Sequence, residues 1–206
     1  MPVEFWFEFG STYSYPAAMR IEALASARGV EIVWRPFLLG PIFGEQGWSD
    51  SPFNLQPAKG RYMWRDLERI CRAEGIPYQR PSEFPRNGLL AARVACRFSA
   101  SPWLPDFVRS VYRANFAEDR DITAVETISG CLESAGEEPA PLLPEARTPD
   151  SKARLRAQTE EAVRLGIFGA PSFVAQGELF WGNDRLEEAL AWAVGRRGPG
   201  ASAPLD

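Results

Sequence analysis

The order of elements in this chain predicts an α/β fold in which a long helical block interrupts a sheet. Three observations carry that prediction. Val3 to Phe9 places an apolar residue at every odd position, and Val30 to Pro36 is a second extended run. With the helical pattern between them they form a βαβ unit inside the first 36 residues, which implies a parallel strand pair. Five helical patterns then follow in a row, and after Gly166 the chain returns to two short apolar runs and a last helix.

The first strand ends at Gly10, and Ser11 opens a helical pattern predicted over Thr12 to Arg28, with Tyr15, Ala18, Met19, Ile21 and Ala25 on one face and Gly29 as the stop. Pro16 lies close enough to that start to be tolerated. Residues 37–57 carry Gly40, Pro41, Gly44, Gly47, Pro52 and Pro57 and read as an irregular loop, long enough to cover a site. Helices are expected at 58–75, 87–99, 103–117, 122–135 and 150–165, with 76–86 and 136–149 as connections. Pro171 to Ala175 and Glu178 to Trp181 read as strands joined by Gln176-Gly177, an antiparallel hairpin. Gly182-Asn183-Asp184 starts the last helix, where Asp184 and Glu187 have capping-box spacing, and it runs to about Val194. Gly195 to Asp206 is rich in Gly, Ala, Pro and Arg and reads as a disordered tail.

Composition narrows the function classes. The 206 residues are 45% hydrophobic and 24% charged, as in ordinary globular proteins, and a net charge of −4 without a basic run argues against nucleic-acid binding. Glu4 and Glu8 interrupt the N-terminal apolar stretch, so neither a secretory signal nor a membrane span is expected. Cys71, Cys96 and Cys131 are scattered, which suits small buried thiols in a reducing cytoplasm better than a disulfide framework or a metal site. The chain contains no histidine, which removes Ser-His-Asp and Cys-His catalysis.

A strand that ends on glycine and delivers a hydroxyl to a helix N-terminus is suited to hold an anion, because N–H groups there are unpaired and the dipole is positive. Ser11 equally suits a plain N-cap, and the two roles are compatible.

The order βαβ, helical block, ββα is that of a thioredoxin-like fold with a helical insertion. Within it the chain resembles the 2-hydroxychromene-2-carboxylate isomerases, which group with the kappa-class glutathione transferases in the DsbA-like branch. Three blocks carry the resemblance: Phe9 to Tyr15; Asn54 to Lys59 with Tyr62 and Asp66; and Phe168 to Phe173 running on to Phe180 through Leu186. Thr12 departs from the proline usual in that family. The expected division is a thioredoxin-like domain of 1–57 and 166–194, a helical insertion of 58–165 and the tail of 195–206.

The resemblance implies that Ser11 and Ser14 stand where redox relatives carry C-x-x-C. Hydroxyls cannot form a disulfide, so the expected role of Ser11 is to stabilise the thiolate of bound glutathione. It further implies a cis Ala170–Pro171 peptide facing the helix-one turn, with the Ala170 backbone pairing with the peptide-like cofactor. Asn183 and Asp184 suit a plain helix cap, and the resemblance assigns that corner to the γ-glutamyl end; Lys59, placed with Asn54 after the long loop, is either a solvated helix residue or an anchor for a carboxylate of glutathione or substrate. Phe43, Trp48, Phe53 and Trp64 are either packing residues or walls of an aromatic site, and Arg35 is a candidate for an acidic substrate. The implied activity is glutathione-dependent isomerisation of a small aromatic carboxylate by reversible thiolate addition, without a protein base and without a metal, in a homodimer. The alternatives are a kappa-type transferase or peroxidase, and a non-catalytic thiol-peptide-binding module.

Overall fold

The computed structural model describes residues 1–195; most of the expected tail, 196–206, lies outside the described residues. Among the described residues the sheet has four strands: β1 Val3–Phe7, β2 Ile32–Pro36, β3 Ser172–Ala175 and β4 Glu178–Trp181. Their order is β2-β1-β3-β4, with β1 parallel to β2 and antiparallel to β3, and β3 antiparallel to β4. The βαβ unit and the hairpin therefore form one mixed sheet with β1 at its centre. Gln176 and Gly177 both take positive φ, 54° and 81°, the backbone that a two-residue hairpin turn needs.

The period-two pattern of β1 sorts its side chains to the two faces. Odd positions Val3, Phe5, Phe7 and Phe9 enter the main core; Phe5 stacks on Phe173 at 5.4 Å, and Phe9 meets Tyr112 at 5.3 Å. Trp6 points to the opposite face, into a second cluster with Phe37, Ile42, Ala162 and Ile167. Aromatic pairs in such offset and edge geometries add to the gain from area burial.

The helices are α1 Ser14–Ser26, α2 Leu39–Glu45, α3 Pro52–Leu55, α4 Pro57–Ala73, α5 Leu89–Arg97, α6 Leu104–Phe116, α7 Val125–Ser134, α8 Pro139–Ala146, α9 Pro149–Arg164 and α10 Leu186–Ala193. A 3-10 turn over Asn183–Arg185 precedes α10. The main core runs without a break from β1 and α1 into α4, α5, α6 and α7, so the two expected segments share one apolar interior.

Three expectations are corrected. Residues 37–57 are not irregular throughout: 39–45 form α2 and 52–55 form α3, with 46–51 as the non-helical connection between them. Gly40 and Pro41 sit in the first turn of α2, where a missing N–H costs no intrahelical bond. The 136–149 connection contains α8, whose Pro139 is at its first position and Pro141 in its first turn; only Pro144 is interior. The expected capping box is also absent: neither the turn at 183–185 nor α10 has a side-chain cap. Glu187 instead pairs with Arg28 at 3.0 Å, tying α10 to the end of α1.

Candidate active site at the end of the central strand

The site is built around the turn that follows β1. Ser11 N–H donates to the Glu8 carbonyl at 3.0 Å, closing the turn. The Glu8 carbonyl also accepts from Tyr112 Oη at 2.9 Å, and Asn115 Nδ2 donates to the Phe9 carbonyl at 3.3 Å. Helix α6 thus satisfies backbone groups that the end of a strand leaves unpaired. Gly10 is required by closeness: a Cβ there would stand 3.0 Å from the Arg86 carbonyl oxygen and 3.1 Å from Glu8 Oε2.

Ser11 does not continue into a helix that starts at once. Helix α1 begins at Ser14 behind Tyr13, and the Ser11 hydroxyl reaches over to accept from Ser14 N–H at 3.3 Å. It therefore does the work of an N-cap, satisfying an orphan donor of the first turn. The same hydroxyl donates to the Ala170 carbonyl at 2.9 Å. The Ala170–Pro171 bond is cis, as is Phe84–Pro85, and both segments face the β1 turn. Thr12 is buried beside Ser11, and the turn closes with threonine in place of proline.

Above this turn opens a cleft of about 780 Å³. Its floor carries Glu8, Gly10, Ser11, Thr12 and Tyr13, with Ala170 and Gly182 opposite. Phe43, Trp48 and Phe53 wall one side, so the 37–57 segment does line the site, as two short helices and the connection between them that carries Trp48. Phe84 to Leu89 and the Phe168–Trp181 ring pair, 4.8 Å apart, form further walls.

Of the expected site residues, the structure brings Ser11, Lys59 and Ala170 into the cleft. Lys59 is exposed at the start of α4, its Nζ 5.9 Å from the Phe53 ring. Asn54, Pro171, Asn183 and Asp184 do not line it. Asn54 Nδ2 donates to both Asp50 carboxylate oxygens and to the Phe84 carbonyl, stapling the α3 wall to the 84–89 wall. The Pro171 carbonyl accepts from Gly182 N–H at 2.9 Å. Asn183 is buried and accepts from Arg20 Nη2 at 2.9 Å, joining the final turn to α1. Asp184 projects outward with its side chain 75% exposed, just past the rim residue Gly182. Arg35 pairs with Glu4 at 2.8 Å outside the cleft, and Trp64 packs edge-on against Phe84.

Sequence reasoning missed Glu8, Tyr13, Tyr62 and Arg86. Tyr13 Oη donates to Asp66 Oδ2 at 3.1 Å, locking the α1 start to α4; burial and the Asp66 charge raise its pKa. Arg86 is buried, with its guanidinium turned to Asn115, Asp119, Ser82 and the Arg120 carbonyl, so it braces the wall from behind. Glu8 is different, because burial pushes its carboxyl up to about 7 against the lowering effect of the Gly10 and Ser11 N–H groups. The signal for it was its place at the end of the central strand on the Trp6 face.

The cysteines are buried and free, and burial pushes Cys71 up to about 12 and Cys96 up to about 11. Such thiols are poor nucleophiles at neutral pH. No helix among the described residues is long and apolar enough to cross a membrane.

Comparison with known proteins accords with this architecture. The chain is 28% identical over 186 residues to a 2-hydroxychromene-2-carboxylate isomerase of Sphingobium xenophagum, covering 90% of this chain and 94% of that one. It is 29% identical over 216 residues to human glutathione S-transferase kappa 1, covering 98% and 94%. A solved 2-hydroxychromene-2-carboxylate isomerase superposes with a TM-score of 0.84 at 26% identity, covering 95% of each chain. The family model for the DSBA-like thioredoxin domain matches residues 2–191. On that match, with the β2-β1-β3-β4 sheet and the cis-proline beside the strand turn, the chain belongs to the DSBA-like thioredoxin domain family.

Proposed function

We propose that this protein is a glutathione-dependent isomerase of the 2-hydroxychromene-2-carboxylate type, with Ser11 holding the cofactor's sulfur as a thiolate. The observation that carries this is the Ser11 hydroxyl, set at the N-terminal end of α1 and 2.9 Å from the carbonyl that precedes the cis-proline, on the floor of a large cleft. The residues present fit glutathione. A hydroxyl and a helix N-terminus favour an anion, and the Ala170 carbonyl is an acceptor suited to a peptide N–H. Asp184, exposed just beyond Gly182, supplies an anion for the γ-glutamyl ammonium, and Lys59 in the cleft wall is left as a cation for the substrate's carboxylate.

The Ser11 hydroxyl has one proton and two acceptors to serve. In the structure that proton goes to the Ala170 carbonyl. Turning it to sulfur leaves that carbonyl free for a cofactor N–H, so the exchange loses no hydrogen bond. Glutathione held there would supply a sulfur nucleophile for reversible addition to a conjugated carbon, chemistry that isomerises a double bond without net loss of the cofactor. Ser11 orients and stabilises the sulfur, Phe43, Trp48 and Phe53 exclude water around an aromatic ring, and Lys59 anchors its carboxylate. The proposal includes a cytoplasmic location, which buried free thiols support, and a homodimer, which rests on family likeness.

Incubation with 2-hydroxychromene-2-carboxylate and glutathione tests the reading. Isomer formation with total glutathione unchanged supports it. Consumption of glutathione in proportion to turnover establishes instead the kappa-type transferase reading, which the 29% identity to the human transferase favours.

Lys59→Ala is expected to raise KM for the carboxylate substrate about tenfold with kcat nearly unchanged, the signature of losing one charge-assisted contact made equally before and during reaction. Steady-state kinetics at fixed saturating glutathione check it. Cys→Ala at positions 71, 96 and 131 together is expected to leave turnover per folded molecule unchanged. A drop in turnover with the circular dichroism spectrum preserved would assign chemistry to a thiol.

A further inference from the structure

The cleft floor holds a carboxylate that the proposed reaction does not use. Glu8 shares the alternate face of the first strand with Glu4 and Trp6 but stands beyond the strand's end, where that face opens into the cleft. Its Oε2 accepts from Gly10 N–H at 2.9 Å, so the carboxyl lies along the same turn that presents Ser11. Most of the charged and titratable groups that line the same cleft are otherwise engaged. Tyr112 of α6 donates its hydroxyl to the Glu8 backbone carbonyl, and its own pKa is raised well above the usual value by burial and by the Glu8 charge. Arg86 is turned away to Asp119 and Asn115, and Tyr13 to Asp66. Asp50 accepts from Ser51 N–H and Asn54, while Lys59 and Tyr62 stand in the cleft wall on α4.

We propose that Glu8 takes up and holds the proton that the cofactor's thiol gives up, so that glutathione loads as a thiolate beside a protonated Glu8. The inference rests on the glutathione reading above. The S–H bond breaks with its electron pair left on sulfur, and an O–H bond forms on the Glu8 carboxylate, directly or through a water. Total charge in the cleft is unchanged, which matters in a site walled by aromatic rings. Burial already brings the Glu8 carboxyl to about 7, so it is largely ionised and ready to accept just above neutrality, and an adjacent thiolate raises its affinity for the proton further.

The test counts protons. Glutathione is titrated calorimetrically at about pH 7.5 in buffers of differing ionisation enthalpy, with the thiolate absorbance followed in parallel, for wild type and Glu8→Gln. The glutamine amide oxygen can keep the Gly10 N–H bond. Wild type is expected to release well under half a proton per thiolate formed, and Glu8→Gln about one. Glu8→Asp, which keeps a carboxyl, is expected to restore part of the retention. Release of about one proton per thiolate by wild type overturns the inference, as does retention that persists in Glu8→Gln, because another group would then hold the proton. Absence of any glutathione binding by wild type is a separate failure: it removes the functional reading itself, and this inference with it.

Discussion

Ser11→Ala is expected to shift the pH at which bound glutathione ionises upward by about 1 to 2, and to lower kcat/KM about 10- to 100-fold. A hydrogen bond to a charged group contributes about 1.5–3 kcal/mol, and each 1.4 kcal/mol is tenfold. The substitution removes the donor to sulfur, the acceptor for Ser14 N–H, and the partner of the Ala170 carbonyl. Loss of the cap costs about 1 kcal/mol of stability, so the variant still folds. Ser11→Thr, which keeps a hydroxyl, is expected to recover part of the ionisation shift. Thiolate absorbance against pH, measured on the glutathione-saturated variants, separates the electrostatic effect from any loss of fold.

Glu8→Gln is expected to stabilise the folded protein above neutrality by up to about 3 kcal/mol, and to leave it little changed near pH 4. The ordinary carboxyl value is 4.5, and in the folded protein Glu8 stands at about 7. Between those values the folded state binds more protons than the unfolded chain, so stability falls as pH rises from 4.5 to 7 and stays lower above it. Glutamine cannot ionise and escapes that loss. The figure is a ceiling, because Glu8 keeps partial contact with solvent through the cleft. Urea midpoints at the two pH values check it; equal changes at both would show that Glu8 is not held away from its ordinary value. A residue that costs stability at working pH while facing a cleft suits a functional role.

The strands were legible because alternation in β1 and the Gln176-Gly177 turn are local signals, and the hairpin forms where they point. The helices built on strong apolar periodicity, such as α4 and α6, were legible for the same reason. Helices α2 and α8 were not, because proline and glycine ordinarily interrupt helices; a proline in the first helical turn, as at Pro41 and Pro139, gives up no intrahelical hydrogen bond. Ser11, Ala170 and Lys59 were reached through the order of elements and the family likeness, and they do meet in one cleft. Asn183 and Asp184 sit next to that cleft in sequence but turn to Arg20 and to solvent, a choice made by tertiary packing that no local pattern records. Glu8 was visible only as an interruption of an apolar run. Its meaning depends on which face of β1 opens into the cleft, and that is set by tertiary packing, through Tyr112 of α6 more than a hundred residues away and through the Trp6 cluster.

Calorimetric titration of the wild-type protein with glutathione near neutral pH, with the ultraviolet thiolate band recorded at each addition, tests whether Ser11 holds a thiolate. Saturable binding accompanied by a thiolate band, the band being lost in Ser11→Ala, is expected. An absence of binding at millimolar glutathione would contradict it, leaving the DSBA-like fold without the thiolate site.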